Sequence, residues 1–430
     1  MRHIVGYIGA MVVLSLVLLM GCKAPPPESV TITISAGSTG EAGNDALLEQ
    51  TKQFMEAHPN IDVQLILQHE STDAQHDFYL REFTAGSPAI DIPSIDIIWP
   101  PEFGEKGLTL PLDNYVAEYD IDMTAFLPGT VQGNTWDGQL VAMPHFTAAG
   151  MLYYRQDLLD KYGFAPPETW AELVDIAQVI VAGERETTPS LVGFVYQADR
   201  YEGLVCNYLE YVWGNGGDVL NAGGDQVVLN TPQAVEGLET FAAMQAIAPP
   251  GILTFKEEDS LNYFQEGNAV FMRNWPYAWF ILNQDDSPVK GQVQVTAVPH
   301  GPRGTVGVST LGGWQLGINA YSQHPDEAFA LIAFLTSLEQ QNYAAIHAAH
   351  LPTRQQSYQD PDVLAANPFM QELANVLLNA KPRPVHPLYA EQISPIIQEE
   401  VHRVLRGERE AAAATEVMAT RIQVIIALEE

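Results

Sequence analysis

Residues 30–67 read VTITISAGSTGEAGNDALLEQTKQFMEAHPNIDVQLIL, and this run sets the fold class. Val30, Ile32 and Ile34 alternate with Thr31, Thr33 and Ser35, the period of a strand with one buried face. A flexible turn from Gly37 to Gly43 carries Ser38 and Glu41, and Asn44 can cap a helix that runs to Ala57 before His58-Pro59 stops it. Ile61, Val63, Leu65 and Leu67 then alternate again. Strand, helix and strand within about forty residues make a βαβ unit, and in such α/β sheets ligands collect beyond the carboxyl ends of the strands. Ser38 and Glu41 lie there.

The pattern repeats outward. A helical stretch over Asp73–Thr84 leads to Ile95-Asp96-Ile97-Ile98-Trp99-Pro100, a buried strand whose end presents Asp96 and Trp99. An acid beside an indole can hold a sugar, the carboxylate accepting hydroxyl bonds while the ring stacks; Asp96 could equally cap the following turn. Trp136-Asp137-Gly138 reads as a turn, and Ala142–Phe146 as an extended segment leading to Met151-Leu152-Tyr153-Tyr154-Arg155 and a helix near Asp157. Thr169 and Thr231-Pro232 are helix starts. Helices are expected over Trp170–Ala182 and Tyr201–Trp213, and over most of Pro325–Glu430.

Glu266–Phe280, EGNAVFMRNWPYAWF, carries the densest chemistry. A short apolar run, Ala269–Met272, forms a strand, and Trp275, Tyr277, Trp279 and Phe280 follow around Pro276. Flat faces flanked by Arg273 and Asn274 suit a ligand with CH faces and hydroxyl edges; the stretch alone leaves open whether the rings fill a core instead. Further on, Gly312-Gly313-Trp314 pairs two glycines that let backbone approach a ligand with one more ring, and Lys381-Pro382-Arg383-Pro384 holds Arg383 on an extended bend.

The whole chain bounds these readings. Its 430 residues exceed what one core fills, so two domains are expected. Lys plus Arg number 20 against 53 Asp plus Glu, a formal charge of −33 that repels nucleic acid, anionic headgroups and phosphorylated ligands. Arg2 and His3 precede an apolar segment, Ile4–Leu19, and Leu19-Met20-Gly21-Cys22 has the small residue before Cys that a lipoprotein signal requires. Residues 1–22 are therefore expected to be a signal ending at a lipidated Cys22, and 23–29, with Pro25, Pro26 and Pro27, a tether. Cys206 is then the only other cysteine, which rules out an internal disulfide.

Catalytic signatures are missing. There is no phosphate loop, no His-Glu-x-x-His, no Gly-x-Ser-x-Gly and no ligand spacing among the eleven histidines, so neither cofactor nor metal is expected. Counting acids does not dismiss the carboxylate pair of a glycosidase, which stays as the rival enzymatic reading.

Taken in order, the lipoprotein signal, the βαβ start with Glu41, Ile95–Trp99, Leu152-Tyr153-Tyr154-Arg155-Gln156-Asp157-Leu158-Leu159, Tyr201–Asn207, Glu266–Met272 and Gly312-Gly313-Trp314 resemble the extracellular solute-binding proteins of carbohydrate ABC importers. The trehalose/maltose-binding branch is the nearest likeness, and it covers nearly all of the chain beyond Val30.

The resemblance implies an α/β, two-lobed periplasmic-binding-protein fold, with a ligand cleft between lobes joined by crossing hinge segments. The first lobe would take 30–145 and 304–338, the second 146–303 and 339–430, with crossings near Pro144–Gly150, Pro299–Gly304 and Ser337–Gln341. Glu41 and Asp96 would hold sugar hydroxyls, joined by Trp99 and by Tyr154 of the Leu-Tyr-Tyr motif. Trp275 and Tyr277 would stack; Gly312, Gly313 and Trp314 would line the cleft, and Arg383 would reach in from the tail. Relatives often carry an Asp shortly after the Pro-aromatic step, where this chain has Thr147-Ala148-Ala149, so the sugar read could differ. The implied partners are a neutral mono- or oligosaccharide and ABC permease subunits with a separate ATPase. The protein would be a monomer, lipid-anchored at the membrane and facing the periplasm or cell exterior.

Overall fold

A computed structural model describes residues 29–37, 40–68, 72–221, 226–370, 373, 376–377 and 380–428. The expected signal, Cys22, the tether up to residue 28 and Ser38 lie outside them. Among the described residues, strands form in chain order: β1 (Val30–Gly37), β2 (Ile61–Gln68), β3 (Ile92–Asp96), β4 (Thr135–Trp136), β5 (Gln139–Leu140), β6 (Met143–Ala149), β7 (Met151–Arg155), β8 (Val192–Val195), β9 (Ala269–Asn274), β10 (Val293–Thr296), β11 (Leu311–Leu316) and β12 (Leu351–Pro352). Six of them make a sheet in the order β12-β6-β11-β3-β1-β2, four make a second in the order β10-β7-β9-β8, and β4 and β5 form a hairpin.

The opening stretch folds as its periodicity dictates. β1 pairs in parallel with both β2 and β3, and Ile32 and Ile34 are fully buried. The intervening helix spans Gly40–Ala57, starting four residues before Asn44 and so taking Glu41 into its first turn. Local signals elsewhere translate directly. Asp137 and Gly138, at φ 46° and 76°, form the two-residue turn between β4 and β5. Thr169 builds a capping box with Glu172, and Thr231 accepts from the Ala234 amide with Pro232 in the first turn.

β6 belongs to the first sheet and β7 to the second, so the chain passes between them at Gly150. A side chain there would run into the Glu210 carboxylate and the Arg273 guanidinium. The chain returns between β10 and β11, and β11 inserts antiparallel between β3 and β6. One expectation needs correction: Ser337–Gln341 is no crossing. Ser337 caps a helix, Leu338–Ala348, whose Gln340 carbonyl accepts from Gln50 Nε2 at 2.8 Å, and β12 then occupies the free edge of β6. Residues 339–352 thus sit with the first sheet, because an unpaired edge of β6 is available to them. Helix Glu202–Trp213, buried along its whole length, forms the middle of the second lobe, and the late helices Ser394–Leu405 and Ala411–Ala427 pack within the same apolar cluster.

Candidate functional site

Between the two sheets lies a cavity of about 470 Å³, within the roughly 300–1,000 Å³ usual for small-molecule sites. Of the ten residues expected at a ligand, Glu41, Asp96, Trp275, Tyr277, Gly312, Gly313, Trp314 and Arg383 line it.

Trp275 follows β9, whose six residues are all buried. Arg273 and Asn274 do not flank a ligand as expected; they build the platform beneath the indole. Arg273 forks onto Glu210, Nε to Oε2 at 3.0 Å and Nη2 to Oε1 at 2.6 Å, with side chains 1% and 0% exposed. Its guanidinium carbon lies 4.1 Å from the Trp275 ring centroid, a cation–π contact. Asn274 Oδ1 accepts from the Trp275 amide at 2.8 Å, and Tyr153 Oη donates to the Trp275 carbonyl at 2.8 Å. Trp275 Nε1 and Tyr277 Oη donate to Glu257 and Glu258, at 3.3 Å and 3.1 Å. Both rings remain partly exposed.

The first sheet supplies the opposite wall. Trp314 sits across from Asp96 in the β11–β3 register. Gly313, at φ 124°, allows β11 to press against β6: a Cβ there would meet the Phe146 carbonyl and lie 2.7 Å from the Thr147 Cα. At Gly312 an added Cβ would stand 3.1 Å from Trp275 Cζ3, so the indole rests on bare backbone.

Arg383 bridges the two lobes. Its Nη2 donates to Asp96 Oδ1 and its Nη1 to Glu202 Oε1, each at 2.8 Å. Glu202 also accepts from Tyr389 Oη at 2.9 Å and from the Ser394 hydroxyl. Burial, reinforced by the nearby Asp73 carboxylate and opposed by Arg383, holds Glu202 above the usual carboxylate range. Arg383 therefore spends its guanidinium on two carboxylates while lining the cavity.

Two expected residues are placed elsewhere. The chain turns out of β3 after Asp96, so Trp99 caps the short helix Pro100–Glu105; it is 1% exposed and meets Trp314 edge-on, centroids 5.6 Å apart, bracing that ring from behind. Tyr154 faces the second lobe's core, because strand alternation gives Tyr153 the face toward Trp275. Sequence reasoning missed Glu202, Glu257, Glu258 and His350, all of which line the cavity. The run Glu257-Glu258-Asp259 was a visible acidic helix start and Glu202 lay inside the quoted Tyr201–Asn207 stretch, whereas His350 carried no local signal. Cys206 also lines the cavity, and burial pushes its thiol far above the usual range, leaving no thiolate for nucleophilic chemistry.

Aromatic faces, carboxylate acceptors and a neutralised Arg383 suit an uncharged, hydroxyl-rich solute. The same acid-rich wall opposes anions. Among the described residues no helix is long and apolar enough to cross a membrane.

Known proteins resemble this chain in sequence and in fold. Over 363 residues the chain is 40% identical to a probable ABC transporter-binding protein of Deinococcus radiodurans, covering 84% of this chain and 85% of that one. The maltose-bound MalE3 of T. maritima superposes with a TM-score of 0.87 at 42% identity, over 92% of this chain and all of that one. A mannitol-binding protein of Pseudomonas aeruginosa is 26% identical over 399 residues, 86% of this chain and 84% of its own length. The family description "bacterial extracellular solute-binding protein" matches residues 37–342, and with the two-lobed fold and interlobe cavity it makes this chain a member of that family, a solute-binding protein and not an enzyme.

Proposed function

We propose that this protein captures a neutral sugar, a disaccharide such as maltose or trehalose, in the interlobe cavity and delivers it to the permease of an ABC importer. The observation that carries the reading is the Trp275 platform. A partly exposed indole, fixed from below by Arg273 and at its edge by Glu257, opens onto a cavity that also presents the rings of Tyr277 and Trp314 and the carboxylates of Glu41, Asp96, Glu202, Glu257, Glu258 and Asp259. A sugar ring gains stacking on such a face while its hydroxyls donate to the acids. The 42% identity with the maltose-bound MalE3 supports the choice of sugar class.

The lobes would comprise 30–149 with 304–352, and 150–303 with the remaining tail, and a ligand touching both would favour closure by differential affinity. Lipidation at Cys22 would hold the monomer on the membrane, facing the periplasm or cell exterior.

A thermal-shift screen of the purified protein against maltose, trehalose, sucrose, glucose, mannitol and longer glucans tests this. Binding to the native state at a hundredfold excess over Kd adds about 2.7 kcal/mol of stability, a readily measured rise in Tm. A shift with one disaccharide supports the reading; no shift with any sugar or polyol refutes it.

A further inference from the structure

The wall that β6, β11 and β12 give the cavity is apolar except at one point. Phe146, Ala148, Gly312 and Leu351 line it, and Ala148 offers a ligand no acceptor. The Thr147 hydroxyl is turned to the Gly312 carbonyl at 3.3 Å. Between them stands His350, 9% exposed, its ring stacked on Phe146 with centroids 4.1 Å apart and planes 17° from parallel. Its Nε2 has no hydrogen-bond partner among the described residues. The turn that delivers it is unusual too: Ala349, directly before it, holds φ 52°, a conformation a side chain rarely adopts. His145 lies on the other side of Phe146 and also has an unpartnered nitrogen, but it does not line the main cavity.

A buried polar group without a partner weakens a fold, and a phenylalanine would occupy the same stacked position without that cost. An imidazole kept there points to a partner that arrives with the ligand. Burial holds His350 down to about 4, so the ring is neutral at ordinary pH. A neutral ring donates from one nitrogen and accepts at the other, whereas the carboxylates across the cavity only accept.

We propose that His350 is the residue by which the β6–β11–β12 wall reads a hydroxyl of the bound sugar, and so a determinant of which sugar is taken. This rests on the sugar-binding reading above and names the residue that gives it selectivity. The ligand would be a neutral di- or oligosaccharide, one unit over Trp275 among the acids and a second placing a hydroxyl and its neighbouring CH face against His350 and Phe146.

Calorimetry of maltose and trehalose binding to the full protein and to the variants His350→Phe and His350→Gln tests the proposal, alongside the ligand-free Tm of each. His350→Phe is expected to keep or raise the Tm while weakening the preferred sugar about tenfold or more, and His350→Gln to recover most of that affinity. The ¹⁵N resonances of the His350 ring, assigned by their loss in the variants, should move on saturation with that sugar. Should His350→Phe unfold, the ring resonances and His350→Gln decide the matter. Wild-type binding with equal affinity in His350→Phe, or ring resonances that stay put on saturation, overturns the role of His350 and leaves the sugar-binding reading standing. Failure of the wild type to bind any sugar or polyol of the thermal-shift screen overturns that reading, and this inference with it.

Discussion

Replacing Arg383 by Leu is expected to destabilise the protein by about 3–5 kcal/mol at neutral pH, the usual cost of leaving a buried charge without its partner. Solvent offers little relief, since the side chains of Arg383, Asp96 and Glu202 are 2%, 11% and 5% exposed. Without the guanidinium, Asp96 and Glu202 lose their shared partner in a poorly hydrated place, and Glu202 must stay charged there or take up a proton. Glu202 already sits above the ordinary 4.5 because of burial, and losing the favourable Arg383 charge raises it further. A carboxyl raised in the folded state contributes stability that is full below its unfolded value and is lost as pH rises through the folded one. The deficit of Arg383→Leu should therefore be small near pH 4.5 and widen toward pH 7.5.

Scanning calorimetry at the two pH values measures this directly. With about 2–4 °C per kcal/mol for units of 150–250 residues, the loss at pH 7.5 is roughly 6–20 °C. Arg383→Lys should recover only part of it, since an ammonium cannot fork onto both carboxylates. A Tm within about 2 °C of wild type at pH 7.5, or an equal deficit at both pH values, would refute the argument that Arg383 is a buried clamp.

Trp275→Ala should weaken sugar binding by about 2 kcal/mol, roughly thirtyfold, through lost stacking and burial; unchanged affinity in calorimetry removes the indole from the site. Gly313→Ala should cost more than about 2 kcal/mol in denaturant unfolding, from its φ of 124° and the collision with β6. His145 is held down to about 3 by burial and by His350, against 6.5 when unfolded, so its contribution to stability is present above pH 6.5 and fades as pH falls toward 3. His145→Phe should flatten the acid side of the Tm–pH curve, and an unaltered slope there would show that this histidine is not buried neutral.

Local chemistry was legible where neighbours in sequence decide it. The alternation of β1 and β2, the Thr169 and Thr231 caps and the Asp137-Gly138 turn each depend on a few adjacent residues. Trp275, Gly313 and Trp314, singled out by their aromatic and glycine clusters together with the family resemblance, line the cavity. Trp99 and Tyr154 look the same in sequence but differ in space: a turn begun three residues earlier and the phase of one strand send them into cores. Glu202, His350 and the pairing of Arg383 with carboxylates from both lobes depend on contacts between residues far apart in the chain, as does the two-residue β12. Periodicity cannot register such contacts.

The position of β11 also dictates when the first sheet can exist. It fills the gap between β3 and β6, opposing Trp314 to Asp96 across about half the chain. Until that strand arrives, β3 and β6 each present an open edge, and β1, β2 and β3 form an unfinished half-sheet. Such distant pairing folds slowly, because long loops must close before any contact rewards them. A chain emerging from its N-terminus therefore stays open through most of its synthesis, and truncations ending before Leu311 are expected to aggregate rather than yield an isolated first lobe.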